Sequence, residues 1–394
     1  MEANEPFIGR EKMRKFLLDE IFLSDEWRPK FCPIVAPRGF GKTELMRAVV
    51  RDFEARRPQN TFHFFTDLEP GDTYVSFWSR LIPMIIETVD VETLAPGSEE
   101  KKGEMDDYAR RILRDVVAFF KLAIPKKVEE EGFREALQRA RKQLFEAYSI
   151  LGVRIIITVD GFERARFLDP DIYESLVSLE IGTYVMRRHQ VSVITLSRVW
   201  IHSEREEDEW ESWIAPFYLG GFSNEELDLY FNSYRDLSCG IPDQDTQMRI
   251  LYLCGRSPEL LMRMRHNLAG VKHINELDLL ALFDTDARYF EHVCHNLFFS
   301  MTHFHADEWK LETLADLFWR HLIQPDRESI SHATESLACL RQHGFVTREL
   351  ADGNLFERLG LPIPPGVKRT RSNYIYEPIF PFLLDFVRSR QGNS

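Results

Sequence analysis

The stretch VAPRGFGKTELM, residues 35–46, decides the fold that the sequence predicts. The apolar run KFCPIV leads into it and is typical of a buried strand, and TELMRAVVRDFEARR continues from it with apolar residues at helical spacing. Gly39 and Gly41 give the connection its conformational freedom. A strand, a glycine-containing loop and a helix in this order predict an α/β fold with a parallel sheet and a phosphate-binding loop.

The same loop carries the groups that bind a polyphosphate. Phosphates are held by backbone N–H groups at a helix N-terminus, by an ammonium group and, through Mg²⁺, by a hydroxyl. Lys42 supplies the ammonium and Thr43 the hydroxyl, whereas Ala36 stands where such loops usually open with Gly. An ordinary turn with an incidental Lys is the alternative. We expect ATP to contact Pro37, Arg38, Gly39, Phe40, Gly41, Lys42, Thr43 and Glu44.

A second buried strand ends in an acid that is suited to binding a metal. VRIIITVDGFERA is apolar or β-branched from Val153 to Val159, apart from Arg154, and then reaches Asp160. We expect Asp160 to hold Mg²⁺ together with Thr43, and Glu163 to orient or deprotonate the attacking water. The alternatives are a turn carboxylate for Asp160 and an exposed surface acid for Glu163.

A third strand, QVSVITLSRVW, ends in Thr195, Ser197 and Arg198. Ligands of doubly wound sheets collect at the carboxyl ends of the strands, so this end would lie near the γ-phosphate. Arg198 is therefore a candidate sensor of that phosphate, and an ordinary surface Arg is the alternative.

These segments resemble, in their order, the STAND-type ATPases, the signal-transduction branch of the AAA+-related P-loop proteins that includes NACHT and archaeal-type ATPases. The resemblance covers roughly residues 5 to 270, and its segments are FIGREKMRKFLL, APRGFGKT, IIITVDGFE, ITLSR, FYLGGFSNEELDLYF and GRSPELL. It implies a nucleotide-controlled switch in which Phe7, Ile8 and Arg10 lie near the adenine and ribose. It further implies that Pro258 touches the base from a helical lid and that Arg198 reads the γ-phosphate.

The chain departs from the family pattern at three places. Ala36 replaces the first Gly of the loop, Gly161 stands where many AAA+ enzymes have a second acid, and GRSP stands where the lid usually has Gly, one residue and Pro. We expect these departures to affect the rate of hydrolysis more than nucleotide binding, so the enzyme would be a slow ATPase.

Composition is that of a globular protein. Hydrophobic residues make up 44% and charged residues 29% of the sequence, as is ordinary for such a protein. The length of 394 residues predicts two or three domains. The acidic N-terminus and the lack of a long apolar run predict a cytoplasmic protein without a membrane span. Five scattered cysteines form no C-x-x-C pair, so the sequence suggests neither a disulfide framework nor a zinc ribbon. The net charge of −13 argues against a protein whose whole surface binds the nucleic-acid backbone.

We expect three domains: an ATPase core over residues 1–220 with a helical insert at about 97–150, a helical lid over 221–285 and a winged-helix-like domain over 286–394. The last follows from a helical repeat that ends at Gly344, a short strand, and a later strand and helix in SNYIYEPIFPFLLDFVRS. Its basic loop, PPGVKRTRS, could contact DNA phosphates, but Glu328 and Glu335 lie at or near the preceding helix and favour an autoinhibitory or protein-contact wing.

One further cluster offers zinc ligands. EHVCHNLFFSMTHFHADE brings together His292, Cys294, His295, His303 and His305, but the spacing matches no standard zinc pattern, so we favour a structural role.

The sequence thus predicts an ATP- and Mg²⁺-binding switch, with ATP between core and lid, that controls an effector protein or complex subunit. The family resemblance suggests a prokaryotic antiviral defence system and a nucleotide-dependent homo-oligomer. The alternatives are a DNA-associated AAA+ ATPase of the origin-recognition or transposition-regulator kind and a module that holds nucleotide without turnover.

Overall fold

The computed structural model describes residues 9–24, 31–36, 39–89, 103–123, 132–177, 191–198 and 216–272, with short pieces at 279, 340, 346–350, 359, 374–378 and 381. The described residues of 11–35 and 43–217 form one compact unit. Those of 9–10, 36–42 and 218–381 form a second. Each unit is described separately below.

The fold is α/β and is organised on a five-stranded sheet. Its strand order is β2-β3-β4-β1-β5, and the ladders β2–β3, β3–β4 and β4–β1 are all parallel. The strands are β1 (Phe31–Val35), β2 (Thr61–Asp67), β3 (Arg154–Asp160), β4 (Val191–Ser197) and β5 (Phe217–Tyr218). Parallel strands that are neighbours in space but distant in sequence require long connections, and helices occupy these connections.

The central strands are apolar because both faces of the sheet are covered. Ile155, Ile156 and Ile157 follow one another in β3, so their side chains point to alternate faces, and all three are fully buried. The prediction of a buried parallel strand from VRIIITVD is therefore confirmed.

Helices flank the sheet in the first unit. Helix α1 (Glu11–Phe16) continues into a π-helical segment, Leu17–Phe22, whose Phe22 ring lies 5.1 Å from that of Phe53. The remaining helices are α2 (Lys42–Glu54), α3 (Tyr74–Thr88), α4 (Gly103–Ala123), α5 (Phe133–Ile150), a 3₁₀ turn (Phe162–Arg164), α6 (Ala165–Leu168) and α7 (helical residues 170–177).

Helices α4 and α5 lie in the segment where the sequence predicts a helical insert. The Phe119 ring of α4 stacks on the Phe133 ring of α5 with centroids 6.0 Å apart, and Phe145 of α5 meets Trp78 of α3 edge-on at 6.1 Å. Their apolar faces thus belong to the core of the first unit, which leaves their charged faces toward water, as the amphipathic pattern predicts.

The described residues 224–268 of the second unit are largely helical. The helical segments are α8 (Asn224–Asn232), a 3₁₀ turn (Ser233–Asp236), α9 (Gln244–Cys254) and α10 (Pro258–Leu268). Helices α8 and α9 begin at capping residues that the sequence displays. Ser223 caps α8 and Asp243 caps α9, and Tyr230, fully buried, ties α8 to α10 by donating its hydroxyl to the Leu261 carbonyl at 2.7 Å.

Only part of the C-terminal third is described. There β6 (Val346–Leu350) and β7 (Tyr374–Pro378) pair antiparallel, with Val346 opposite Pro378. The pair falls in the segment where a winged helix is expected, and that domain stays a prediction. The helix expected before it, the basic loop between the strands and the His/Cys cluster lie outside the described residues. Within the described part of the chain, no helix has the length and apolarity that crossing a bilayer demands.

Candidate phosphate and metal site

The carboxyl ends of β1, β3 and β4 lie side by side. Val35, the last residue of β1, is opposite Ser197 in β4, and Asp160, the last residue of β3, is opposite Leu196. The segments that follow these strands carry the residues that the sequence predicts for a nucleotide site. Within the first unit, the ends of β3 and β4 therefore place Asp160, Glu163 and Arg198 at one edge of the sheet, where ligands of parallel α/β sheets bind.

Thr43 and Asp160 meet at this edge. The Thr43 hydroxyl donates to Oδ2 of Asp160 at 2.6 Å, although 117 residues separate them in sequence. The other oxygen, Oδ1, accepts the N–H of Gly161 at 2.8 Å. The Asp160 carboxylate is thereby held in one orientation.

A hydroxyl beside a carboxylate is a donor set that suits Mg²⁺. Magnesium is a hard cation that binds oxygen, takes one or two protein ligands and keeps its remaining positions for water and phosphate. Thr43 and Asp160 therefore fit the expected ion.

Glu163 is buried rather than exposed. It lies on the 3₁₀ turn after β3 and its side chain is 5% exposed. Its Oε2 accepts the backbone N–H of Arg198 at 3.1 Å, and its Oε1 lies 3.3 Å from Nε of Arg198. The alternative of a surface acid is therefore wrong, and the two residues predicted to act at the γ-phosphate are in contact with each other.

The other polar residues at the end of β4 are inside the sheet. Thr195 and Ser197 are 0% and 2% exposed, and Thr195 Oγ1 has no hydrogen-bond partner among the described residues. A buried hydroxyl without a partner costs free energy, so Thr195 is a candidate polar contact for a group that enters this edge.

Asp67 is a residue that sequence reasoning missed. It ends β2 and pairs in register with Asp160, and the N–H of the next residue, Leu68, donates to the Asp160 carbonyl at 2.9 Å. A second carboxylate therefore ends the strand next to the candidate metal ligand. The segment TFHFFTD, residues 61–67, could have suggested it, because this strand ends in an acid as RIIITVD does.

The phosphate loop, residues 36–42, belongs to the second unit, and the structure describes it except at Pro37 and Arg38. Gly39 and Gly41 have φ of 83° and 80°, the left-handed region that glycine adopts most easily. The Lys42 ammonium donates to the Ala36 carbonyl at 2.6 Å, so it spans the loop from end to end. Phe40 is buried, and Glu44 pairs with Arg47 along α2.

Arg10 lies against the loop that precedes α8. Its guanidinium donates to the carbonyls of Gly220 and Gly221 and lies over the Phe222 ring, 5.6 Å from the centroid. Its backbone N–H donates to Oε1 of Glu226, and its φ of 63° is unusual for a residue other than glycine. Phe7 and Ile8, expected near the base, lie outside the described residues.

Arg256 joins this loop to the start of α10. It is 2% exposed and donates to the Phe222 carbonyl at 2.8 Å and to Oδ1 of Asn224 at 2.9 Å. Its own carbonyl accepts the Phe222 N–H at 2.8 Å. The segments GGFSNEE and GRSP, each a weak signal in sequence, are therefore bonded to each other.

Pro258 and Glu259 open α10 next to the phosphate loop. Pro258 is buried at the first helical position, where its missing N–H costs nothing. The Glu259 N–H donates to the Gly39 carbonyl at 3.1 Å. The second unit thus brings Arg10 and Pro258, both predicted from the resemblance, into one network with the loop that contains Lys42.

Glu226, Arg256 and Glu259 are further members of this network that the sequence did not identify. The capping box S-x-x-E at Ser223–Glu226 is readable in sequence, and Glu226 does bond back to the Ser223 N–H at 2.8 Å. Glu226 also contacts Arg10, and Arg256 and Glu259 likewise contact distant segments. Such contacts produce no local pattern in the sequence.

No model of a protein family and no curated protein matches the chain. Solved structures with a similar fold include a Walker-type ATPase of Pyrococcus abyssi, with 13% identity, 97% of this chain and 96% of that one covered, and a TM-score of 0.49. The ORC2 protein of Aeropyrum pernix, in its ADPNP-ADP complexes, has 12% identity, coverage of 100% and 98%, and a TM-score of 0.42. Cdc6p from Pyrobaculum aerophilum has 10% identity, coverage of 99% and 97%, and a TM-score of 0.44. At such scores the likeness carries no argument about activity.

Proposed function

We propose that this chain is a nucleotide-dependent switch that binds ATP with Mg²⁺ and hydrolyses it slowly. The observation that carries the proposal is the hydrogen bond of 2.6 Å between Thr43 and Asp160. An ordinary turn would not explain why the hydroxyl after a G-x-G-K segment contacts the acid that ends a distant buried strand. Binding of one Mg²⁺ by both oxygen ligands would explain this contact.

The residues have separate roles in this proposal. Lys42 binds the β- and γ-phosphates, and Thr43, adjacent to it in the chain, holds Mg²⁺ together with Asp160. The metal ion, when bound, supplies positive charge to the phosphate oxygens on which negative charge develops.

Glu163 is the candidate base for the attacking water. In the structure both of its carboxylate oxygens face Arg198, at 3.1 Å from the backbone N–H and 3.3 Å from Nε. A water molecule must compete with these bonds before Glu163 can accept its proton. We infer that this competition keeps turnover slow and that Arg198 sets the position of the carboxylate.

The output of the switch is proposed from the family resemblance alone. A STAND-type ATPase would control an effector protein or complex subunit, in a defence system, and would assemble with copies of itself when nucleotide is bound. The second candidate, a DNA-associated AAA+ ATPase, is favoured by the basic residues Lys368, Arg369 and Arg371 of PPGVKRTRS. The two candidates predict different behaviour with duplex DNA, which is tested below.

Binding of ATP with and without Mg²⁺ tests the nucleotide site. Lys42→Ala should abolish ATP binding, because the ammonium is the main charge that opposes the outer phosphates. Asp160→Asn keeps the size of the side chain but removes the charge, so it should remove the advantage that Mg²⁺ gives to binding. Titration calorimetry on both variants and the wild type measures these effects.

Lys12→Ala is the matched control, because Lys12 is an exposed lysine of α1. It should bind ATP as the wild type does. Unchanged ATP affinity in Lys42→Ala, with the fold intact by circular dichroism, would remove the proposal.

A further inference from the structure

Helix α10 takes its N-terminal cap from the phosphate loop. The first N–H groups of a helix lack partners within it, and a side chain at the N-cap usually supplies one. Ser257 holds the N-cap position of α10 but makes no side-chain capping bond. The Gly39 carbonyl accepts the Glu259 N–H at 3.1 Å instead. The conformation of the loop and the first turn of α10 are therefore linked.

The Glu259 side chain also lies on the loop. A Cβ atom placed on Gly39 would overlap Oε2 of Glu259 and would lie 3.0 Å from its Cβ. Both contacts are inside van der Waals distance, so the carboxylate occupies the space beside the Gly39 backbone that any side chain would fill. The φ of 83° also favours glycine at this position.

A carboxylate in this place conflicts with the ligand proposed for the loop. Phosphate groups would bind to backbone N–H groups of the same few residues, and they carry the same sign of charge as Glu259. Two like charges about 4 Å apart repel each other, and in water this repulsion corresponds to a factor of about 5 in affinity.

We propose that Glu259 is an acidic gate on the phosphate loop, whose contact with Gly39 and the binding of nucleotide phosphates exclude each other. The inference rests on the proposed function. It identifies Glu259 as the residue that couples phosphate binding at the loop to the conformation of the helices in the second unit. When phosphates bind, the carboxylate leaves Gly39, and the first turn of α10 loses its link to the unliganded loop.

The substitution Glu259→Gln tests the gate. It keeps the shape of the side chain and removes the charge, so ADP and ATP should each bind about 5-fold more tightly than to the wild type, or better. Dissociation constants from titration calorimetry give the result. This gain in nucleotide affinity should largely disappear at high salt, because salt screens the repulsion: the Debye length falls from about 10 Å at about 0.1 M to about 3 Å at about 1 M.

Glu225→Gln is the matched control. Glu225 is an exposed acid in the first turn of α8, so its substitution changes the net charge by the same amount at the same kind of helix position. It should leave both dissociation constants unchanged. Equal affinity of Glu259→Gln and wild type, weaker binding, or a gain that salt does not reduce would each overturn the gate.

Failure of the gate is distinguishable from failure of the nucleotide site. If the wild type binds ATP and Lys42→Ala does not, the proposed nucleotide site is supported, whatever affinity Glu259→Gln shows. If Glu259→Gln and the wild type bind no nucleotide at all, the proposed function falls and the gate falls with it.

Discussion

Glu163 and Arg198 bond to each other, and this contact defines what the candidate base can do. The carboxylate is 5% exposed, whereas the Arg198 side chain is 31% exposed, so the arginine is the partner that solvent and a ligand can reach. A phosphate that attracts the guanidinium would weaken its bond to Glu163 and make the carboxylate available to water. Hydrolysis would then depend on the group that Arg198 contacts.

At this scale we predict the effect of Glu163→Gln. The amide keeps the size of the side chain and accepts the Arg198 N–H but cannot take a proton from water. ATP affinity should stay within about 2-fold, while phosphate release falls about 100-fold, the range that positioned general bases contribute. Steady-state phosphate release and ATP titration measure the two effects.

Glu135→Gln serves as the control, because Glu135 is an exposed acid in the first turn of α5. Its turnover should equal that of the wild type. The same turnover in Glu163→Gln would show that Glu163 is a structural partner of Arg198 and has no part in hydrolysis.

Single residues differ in how well the sequence predicts them. Lys42 and Thr43 are predicted from their spacing after the glycines of the loop, and Asp160 from its place at the end of a buried strand, because a phosphate and metal site would require both. Glu163 has no such constraint: an acid three residues after a strand can face inward or outward. The packing around it decides, and that packing includes Arg198, 35 residues away.

Among the elements, β2 and β3 are joined by a polar pair inside their ladder. His63 of β2 lies opposite Ile156, and its Nε2 is 2.9 Å from the Thr158 hydroxyl of β3. Burial lowers the pKa of His63 to about 4 from its ordinary value of 6.5, because the charged imidazolium would lose its water. The Phe22 ring, 5.4 Å away, forms part of these apolar surroundings.

This pKa predicts a loss of stability in mild acid. Above about pH 6.5 the imidazole is neutral in both folded and unfolded chains. As the pH falls from there toward 4, the unfolded chain takes up a proton that the folded chain excludes, so the free energy of unfolding decreases. From about pH 7 to pH 5 the decrease due to His63 should be about 2 kcal/mol.

His63→Gln isolates this contribution, because glutamine can bond to Thr158 without titrating. Urea unfolding at both pH values should show a smaller decrease for the variant than for the wild type. The comparison uses the change with pH, so a general loss of stability in the variant does not affect it. Equal decreases in the two proteins would mean that His63 is protonated in the folded chain.

Elements are predicted best where their pattern is continuous. The apolar runs of β1, β3 and β4 and the amphipathic repeats of α2, α4 and α5 appear in sequence and in the structure at nearly the same bounds. The π-helical turn at Leu17–Phe22 was not predicted, since its four buried residues fit an ordinary helix equally well. Strand order was not predicted either, because it depends on pairing between distant segments.

For the molecule as a whole, the net charge of −13 limits where nucleic acid could bind. The basic loop PPGVKRTRS is the segment most able to contact a duplex, and it lies outside the described residues. We predict little or no binding of duplex DNA by the wild type, and no change when Lys368, Arg369 and Arg371 are all replaced by Glu. A salt titration of DNA binding measures this, because each neutralised phosphate adds about −0.9 to the salt slope.

A triple replacement of Arg111, Arg114 and Lys121 by Glu, on the exposed face of α4, reverses the same number of charges elsewhere. Tight, salt-sensitive binding that only the loop variant loses would favour the DNA-associated ATPase. Binding that both triple variants lose equally would point to general charge rather than to a wing.

The position of β1 has a consequence for the growing chain during synthesis. Both of its sheet neighbours, β4 and β5, come later in the sequence, and β4 begins about 155 residues after β1 ends. At about 5–20 residues per second, a ribosome needs roughly 8–30 s to deliver that partner. Until then the segment Phe31–Val35, buried in the finished protein, has no strand to pair with. Nascent chains stopped before Val191 should therefore expose an apolar strand and bind chaperones that longer chains release.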